Sequence, residues 1–262
     1  MIGTPATERT MTLSAVEFDV CWELLGLGET PVQLRLPSPG RTWAERRQIV
    51  TDHLTALAGR GLVRDREPVA TLATALELLV RHEWSVDAAL ALDRPVNAIG
   101  AVRGTAGVSA VRIGDDVRLT PLDSRQVVTT IVALSGEERA AEGKSLSVRG
   151  KALAMATQEA GNDQYLFAER LAAHGEPPAV ARALARMAAR PIRQGQFGAS
   201  VLVAPGTRRR ARRVVAFHDT EAGRHLQLLR RSEGEDWLTV TPADNRKIAT
   251  ALHELLADAR SG

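Results

Sequence analysis

The sequence has a single cysteine, Cys21, in 262 residues, so no internal disulfide can form. With neither a basic start nor an apolar run in its first ten residues, the chain is expected to stay in a reducing cytoplasm. Long apolar runs are missing as well. Val69 to Val80 is interrupted by Thr71, Thr74 and Glu77 and falls short of the ~18 residues of a membrane span, which predicts a soluble protein without membrane insertion. Aromatics amount to four Trp, four Phe and one Tyr. Lysine is nearly absent, with Lys144, Lys151 and Lys247 against 31 arginines, a coding bias that carries no mechanism. The 34 basic residues barely exceed the 31 acidic ones, too small an excess for the whole molecule to be a polyanion binder. What is present is a hydrophobic fraction of 44%, ample for a core and incompatible with global disorder.

Residues 1–11 lack periodicity and read as a flexible tail, followed by one domain over 12–262. Ser14 is placed to cap a helix carrying Val16, Cys21, Trp22, Leu24 and Leu25, which Gly26 and Gly28 end. A short extended piece (31–36) and the turn PSPG lead to Thr42, which caps a second helix with Glu45 completing a capping box. Its apolar stripe is Trp43, Ile49, Val50, Leu54 and Leu57. A third helix is expected from Glu67-Pro68, carrying Leu72, Leu76, Leu79 and Val80. From Trp84 the period becomes two: Trp84, Val86, Ala88, Leu90 and Leu92 alternate with Ser85, Asp87 and Asp93. Strands over 96–103, 108–113 and 117–120 follow, joined by turns too short for crossovers, so the four form an antiparallel meander. Thr120-Pro121-Leu122-Asp123 then predicts a helix start with Thr as cap, Pro at the first position and Asp at the third.

The second half replays this order, with helices near 162–174 and 177–190, strands near 195–204, 211–219, 224–231 and 236–241, and a closing helix over 242–259. Laying Asp115–Leu134 on Asp236–Leu255 matches Asp115/Asp236, Thr120/Thr241, Pro121/Pro242, Asp123/Asp244, Arg125/Arg246 and Thr129/Thr250. The apolar stripe maps too, Val127 on Ile248, Ile131 on Leu252 and Leu134 on Leu255. The pattern predicts an α+β, quasi-twofold protein in which helix-helix-meander-helix occurs twice, over about 42–134 and 162–259, connected by a linker over 135–161. The second copy is longer within its sheet, and the gain is assigned to the hairpin containing GTRRRARR (206–213).

Chemistry-bearing motifs are mostly missing. Gly143-Lys144-Ser145 is only the end of a P-loop, since the position of its first glycine is Glu138. Gly107-Val108-Ser109-Ala110-Val111 lacks the second glycine of a nucleophile elbow. No two of the six histidines share a metal-ligand spacing, and only His218, Asp219 and His225 are locally dense; an enzyme would require them to converge in a pocket. Cys21 on an apolar helix face reads as an inert thiol. Arg208, Arg209, Arg210, Arg212 and Arg213 concentrate charge that suits phosphates or an acidic protein surface, although no aromatic is interleaved for base stacking, and a solvated hairpin tip is the plainer reading.

Five ordered segments carry a family resemblance: WELLGLGETPVQLRLPSPGRTWAERRQIV (22–50), AGRGLV (58–63), GQFGASV (195–201), DTEAGRHL (219–226) and DWLTVTPAD (236–244). Together they resemble the EspG family of type VII (ESX) secretion-associated proteins, over Leu13 to Leu256. The resemblance implies a central antiparallel sheet with two helical bundles. It also implies a cytosolic chaperone that binds the hydrophobic tip of the PPE subunit in PE–PPE heterodimers and directs them to the secretion machinery, with no catalysis, cofactor or metal, as a monomer or weak homodimer. In the family the client contacts the central sheet and the C-terminal helical bundle. On that footing the expected client contacts are Leu90, Leu92, Ile99, Val201 and Val203 on the sheet, Met187 and Ile192 beside the second-half helix, and the five arginines 208–213 as a steering patch. The alternative is a nucleic-acid-associated regulator that uses the same arginines.

Overall fold

The computed structural model describes residues 10–232 and 234–261. Along the chain lie β1 (Met11–Ser14), α1 (Ala15–Leu24), α2 (Trp43–Gly59), β2 (Val63–Arg64), β3 (Glu67–Pro68), α3 (Ala70–Arg81), β4 (Trp84–Ala91), β5 (Pro95–Arg103), β6 (Ala106–Ile113), β7 (Asp116–Asp123) and α4 (Val127–Ala133). Then follow β8 (Leu146–Arg149), α5 (Gly150–Ala160), α6 (Gln164–Ala173), α7 (Pro178–Met187), β9 (Arg193–Ala204), β10 (Thr207–Arg210), β11 (Val215–Thr220), β12 (Gly223–Ser232), β13 (Glu235–Pro242) and α8 (Asn245–Ser261). The architecture is α+β, and its long strands are antiparallel.

The first compact unit takes in residues up to Ala89, Arg94–Ile131 and Ser200–Arg208. Its helices start where side chains satisfy the orphan amides: Ser14 with Glu17, and Thr42 with Glu45, form reciprocal capping boxes. Gly61, at φ 71°, ends α2 with Leu62 N–H returning to Leu57 O. Strand order is β1-β7-β6-β5-β4. Alternation then sorts the sheet's faces. Ile99, Ala101, Val108 and Ala110 pack with Leu72, Leu76 and Leu79 of α3 and Phe18 of α1. Gly100 and Gly107 face α4 so closely that an added Cβ would lie 2.5 Å from Val127 at Gly100 and 2.6 Å at Gly107.

Several local expectations change. Met11, expected in the tail, pairs with Leu119 in the sheet; residues 1–9 lie outside the described residues. Glu67-Pro68 is a two-residue strand on β2, and α3 begins at Ala70. Trp43, placed on the apolar stripe, is 86% exposed at the first position of α2. Ser85 and Asp87, expected on an open face of β4, are buried. Thr120 and Pro121 continue β7, and the cap is Asp123, whose Oδ1 accepts from Arg125 N–H. The same holds for the matched sequence in the second unit: Pro242 ends β13 and Asp244 Oδ1 accepts from Lys247 N–H. Proline is tolerated at both places because the outer neighbour has stopped, β1 at Leu119 and β8 at Val240, and no ladder bond needs the missing N–H.

The second unit comprises Leu90–Asp93, Val132–Ala199 and residues from Arg209 onward, in strand order β9-β11-β12-β13-β8. The segment 135–161, expected to be a linker, holds β8, paired with β13, and α5, whose Ala152, Ala156 and Ala160 are buried one turn apart. Those small residues let α5 sit close to Val148, Leu171, Ala181, Leu184 and Val240 in the core of an α5–α6–α7 bundle. On α8, Ile248, Leu252, Leu255 and Leu256 form the buried stripe.

Candidate functional site

The register of β11 on β12 decides what the dense His-Asp-His sequence can do. His218 lies directly opposite His225, and Asp219 directly opposite Arg224. Successive side chains on a strand point to opposite faces, so the two histidines share one face while the carboxylate sits on the other. The rings stack with centroids 5.0 Å apart. His218 Nε2–H donates to Met187 O at 2.8 Å, and its Nδ1 accepts from the Gln227 amide at 2.7 Å. Those partners fix a neutral imidazole. Burial pushes both histidines below the ordinary value of 6.5, and the buried His225 Nδ1 has no partner among the described residues.

On the opposite face Arg224, fully buried, forms a bidentate pair with Asp219 at 2.7 and 2.9 Å. Its remaining N–H groups reach Ser135 Oγ at 2.9 Å, Ser135 O at 3.0 Å, Gly136 O at 3.1 Å and Asn245 Oδ1, and the guanidinium lies 4.6 Å from the Phe217 ring centroid. Arg193 gives Asp219 a second cation at 3.1 Å. Every ionic group there is held by another of the same unit, an arrangement that orders the chain after α4 and the start of α8. Gly223 belongs to it: at φ 115°, an added Cβ would lie 2.7 Å from Arg139 O. Cys21 is buried in the first unit with its thiol pushed up to about 12 by burial and the nearby Glu17 carboxylate, unsuited to nucleophilic work.

The histidine face opens into a groove of about 580 Å³ between the α5–α7 bundle and the sheet. Leu153 and Phe167 form one wall, Leu184, Ala185, Ala188, Ala189 and Pro191 another, and His218, Gln227, Leu238 and Val240 the floor. Thr157, Asn162, Asp163, Gln164 and Arg190 also line it, and apolar walls with polar groups at the floor and margins suit a protein segment or small ligand with an apolar face.

The expected contact residues divide by burial. Leu90, Ile99 and Val201 are buried in the core, Ile99 beneath α3 and α1, and leave almost no side-chain surface for a partner. Leu92 is half-buried, and so is Met187, which packs on the bundle core while its carbonyl holds His218. Ile192, 62% exposed just after the groove residue Pro191, and Val203 are open.

Nor is the arginine cluster a free patch. Arg208 donates to His82 O at 2.8 Å and Val80 O at 2.5 Å at the C-terminus of α3. Arg209 lies 3.4 Å from Ala259 O near the end of α8. Arg213 bonds Leu229 O at 3.0 Å and pairs with Asp258. Cations at helix C-termini meet unsatisfied carbonyls and the negative dipole end, which accounts for Arg208 and Arg209 without a ligand. Arg210 also has a partner, and Arg212 is exposed.

Sequence reading missed the groove, because its lining comes from five separated segments of small and half-buried residues. It also missed the role of Arg224, although the DTEAGRHL segment held both members of the pair.

No curated protein matches the chain. Among solved structures, the Mycobacterium tuberculosis type VII secretion system chaperone EspG5, in complex with the PE25–PPE41 dimer, superposes with a TM-score of 0.77 at 18% identity, covering 96% of each chain. That likeness is one of fold. The model of the EspG family matches residues 14–254, from the Ser14 cap through most of α8 and across every element of the groove and the Arg224 network, and the chain belongs to the EspG family.

Proposed function

We propose that this protein is a cytosolic chaperone of a type VII secretion system, holding a PE–PPE-type heterodimer by its apolar tip in the groove between α5–α7 and β11–β13. The observation that carries the reading is an open groove with an apolar stretch of wall, Leu153, Phe167, Leu184 and Pro191, at the sheet and C-terminal bundle of an EspG family member. The relative EspG5 is a chaperone solved with a PE–PPE dimer. An exposed apolar tip aggregates unless a complementary surface covers it, and a concave wall with few fixed polar groups binds it reversibly.

The protein acts without catalysis. In favour of this are the separation of His218 and His225 from Asp219 by the sheet and the burial of Cys21. Among the described residues no helix is long and apolar enough to cross a membrane. Ile192 and Val203 remain candidate client contacts. The internal repeat belongs to the proposal as well, with its halves beginning at β1 and β8 rather than at 42 and 162. Both halves run strand, three helices, meander, helix, and both close the meander with an Asp cap. The test is affinity purification of the tagged protein from its own cytoplasm, with mass spectrometry and a nuclease-treated control. Helical secretion substrates recovered despite nuclease support the reading; partners that vanish with nuclease contradict it.

A further inference from the structure

α7 carries Arg182 and Arg186 one turn apart on one side, and Arg190 follows three residues past its end, at φ 49°. All three are exposed, and none of their guanidinium groups is hydrogen-bonded or ion-paired among the described residues. Like charges four apart work against a helix unless something else answers them. The acids of the same bundle do not: Glu159 lies with Arg170 and His174, Glu176 with Arg149, Asp163 caps α6, and the exposed Glu169 joins no ion pair. Arg190 lines the groove together with Ala185, Ala188 and Ala189, and Arg182 and Arg186 stand on α7 three residues before and one residue after the groove residue Ala185.

We propose that Arg182, Arg186 and Arg190 form an acid-binding rim, and that the segment the groove receives is an apolar helix end flanked by Asp or Glu side chains. The inference rests on the chaperone reading and adds the charge pattern of the client. Apolar side chains enter the groove while carboxylates outside it meet the rim, which fixes orientation and accelerates encounter. Three cations offer few phosphate contacts, so an acidic protein surface is favoured over nucleic acid.

The test measures association and dissociation of the full-length protein with PE–PPE heterodimers of the same organism at low and high salt. It compares the wild type with a rim variant (Arg182→Gln, Arg186→Gln, Arg190→Asn) and a groove variant, Ala188→Trp. All four substitutions are at exposed positions, and unchanged thermal melts establish folding. The rim variant is expected to associate about tenfold more slowly at low salt, with the gap closing at high salt and dissociation unchanged. Ala188→Trp is expected to dissociate at least about tenfold faster. A rim variant that associates like the wild type while Ala188→Trp is impaired overturns the rim and leaves the chaperone reading standing. No binding by the wild type, or no effect of either variant, overturns both. A salt-sensitive shift of duplex DNA that the rim variant loses reassigns these arginines and overturns the inference.

Discussion

Replacing Arg224 by methionine removes the one cation that holds Asp219, Ser135, Gly136 and Asn245 at the same time. Methionine fills most of the stem's volume, so the cavity term is small, and the loss is electrostatic and polar. Asp219, 2% exposed, keeps only Arg193. Four further acceptors that Arg224 served lose a donor, and a buried unsatisfied acceptor costs ~1–3 kcal/mol. Breaking one side of a buried ion pair costs ~3–5 kcal/mol, and the remaining Arg193 contact sets the expectation at about 3–4. For a chain of this size that is a fall in Tm of roughly 6–16 °C. Arg224→Lys keeps the charge but loses the bidentate geometry and should give about half the loss. Asp219→Leu combined with Arg224→Met should cost less than the sum of the single changes, since no unpaired carboxylate is left buried. Urea unfolding followed by circular dichroism reads all four proteins. A cost below ~1 kcal/mol for Arg224→Met would refute the view that this network orders the second unit.

Burial, with the Arg208 cation nearby, holds His82 at about 4 against an ordinary 6.5. The unfolded chain therefore binds the extra proton, so stability is complete above pH 6.5 and falls as pH drops from 6.5 through 4. The loss between pH 7.5 and 5 should be about 2 kcal/mol, and His82→Gln should reduce that slope in pH-dependent urea melts. His218 and His225, shifted downward for the same reason, steepen it further. Cys21 should react with a thiol reagent at neutral pH only on unfolding, and rapid labelling of the native protein would contradict its burial. Arg208→Ala should lower Tm through the lost α3 contacts, at ~1–2 kcal/mol, without changing client association at low salt; a slower on-rate would restore the steering role expected from sequence. Gly223→Ala should destabilise by more than ~1 kcal/mol, because its φ and the backbone at Arg139 both exclude a Cβ, and near-neutral stability would contradict that packing.

Signals confined to a few neighbouring residues were readable in the sequence. Ser14 and Thr42 cap helices through side chains three residues from their partners, and the alternation from Trp84 onward with turns of two or three residues leaves only a meander. Proline was ambiguous, since a helix start and the unpaired end of a strand both tolerate its missing N–H. Pro68, Pro121 and Pro242 all took the strand solution. Residues 135–161 looked like a connector because α5 builds its buried face from alanines; their spacing at 152, 156 and 160 was the available sign. The arginine run attracted attention by density, yet density in sequence does not show whether carbonyls lie within reach. The arginines at 182, 186 and 190 were diluted by three residues between each pair, and their grouping is visible only once α7 is known to be helical over 182 and 186 and Arg190 is found at the groove. The groove assembles from segments between Leu153 and Val240, and no local pattern encodes such a wall.

Hydrogen–deuterium exchange of the protein alone and bound to a PE–PPE heterodimer tests the groove assignment most directly. The account predicts slowed exchange over 161–167 and 184–192 and at the Gln227 and Leu238 strands, with the β9–β10 hairpin around Arg208 unchanged. Protection confined to that hairpin or to the first unit, with the α6–α7 segments exchanging as in the free protein, would contradict it.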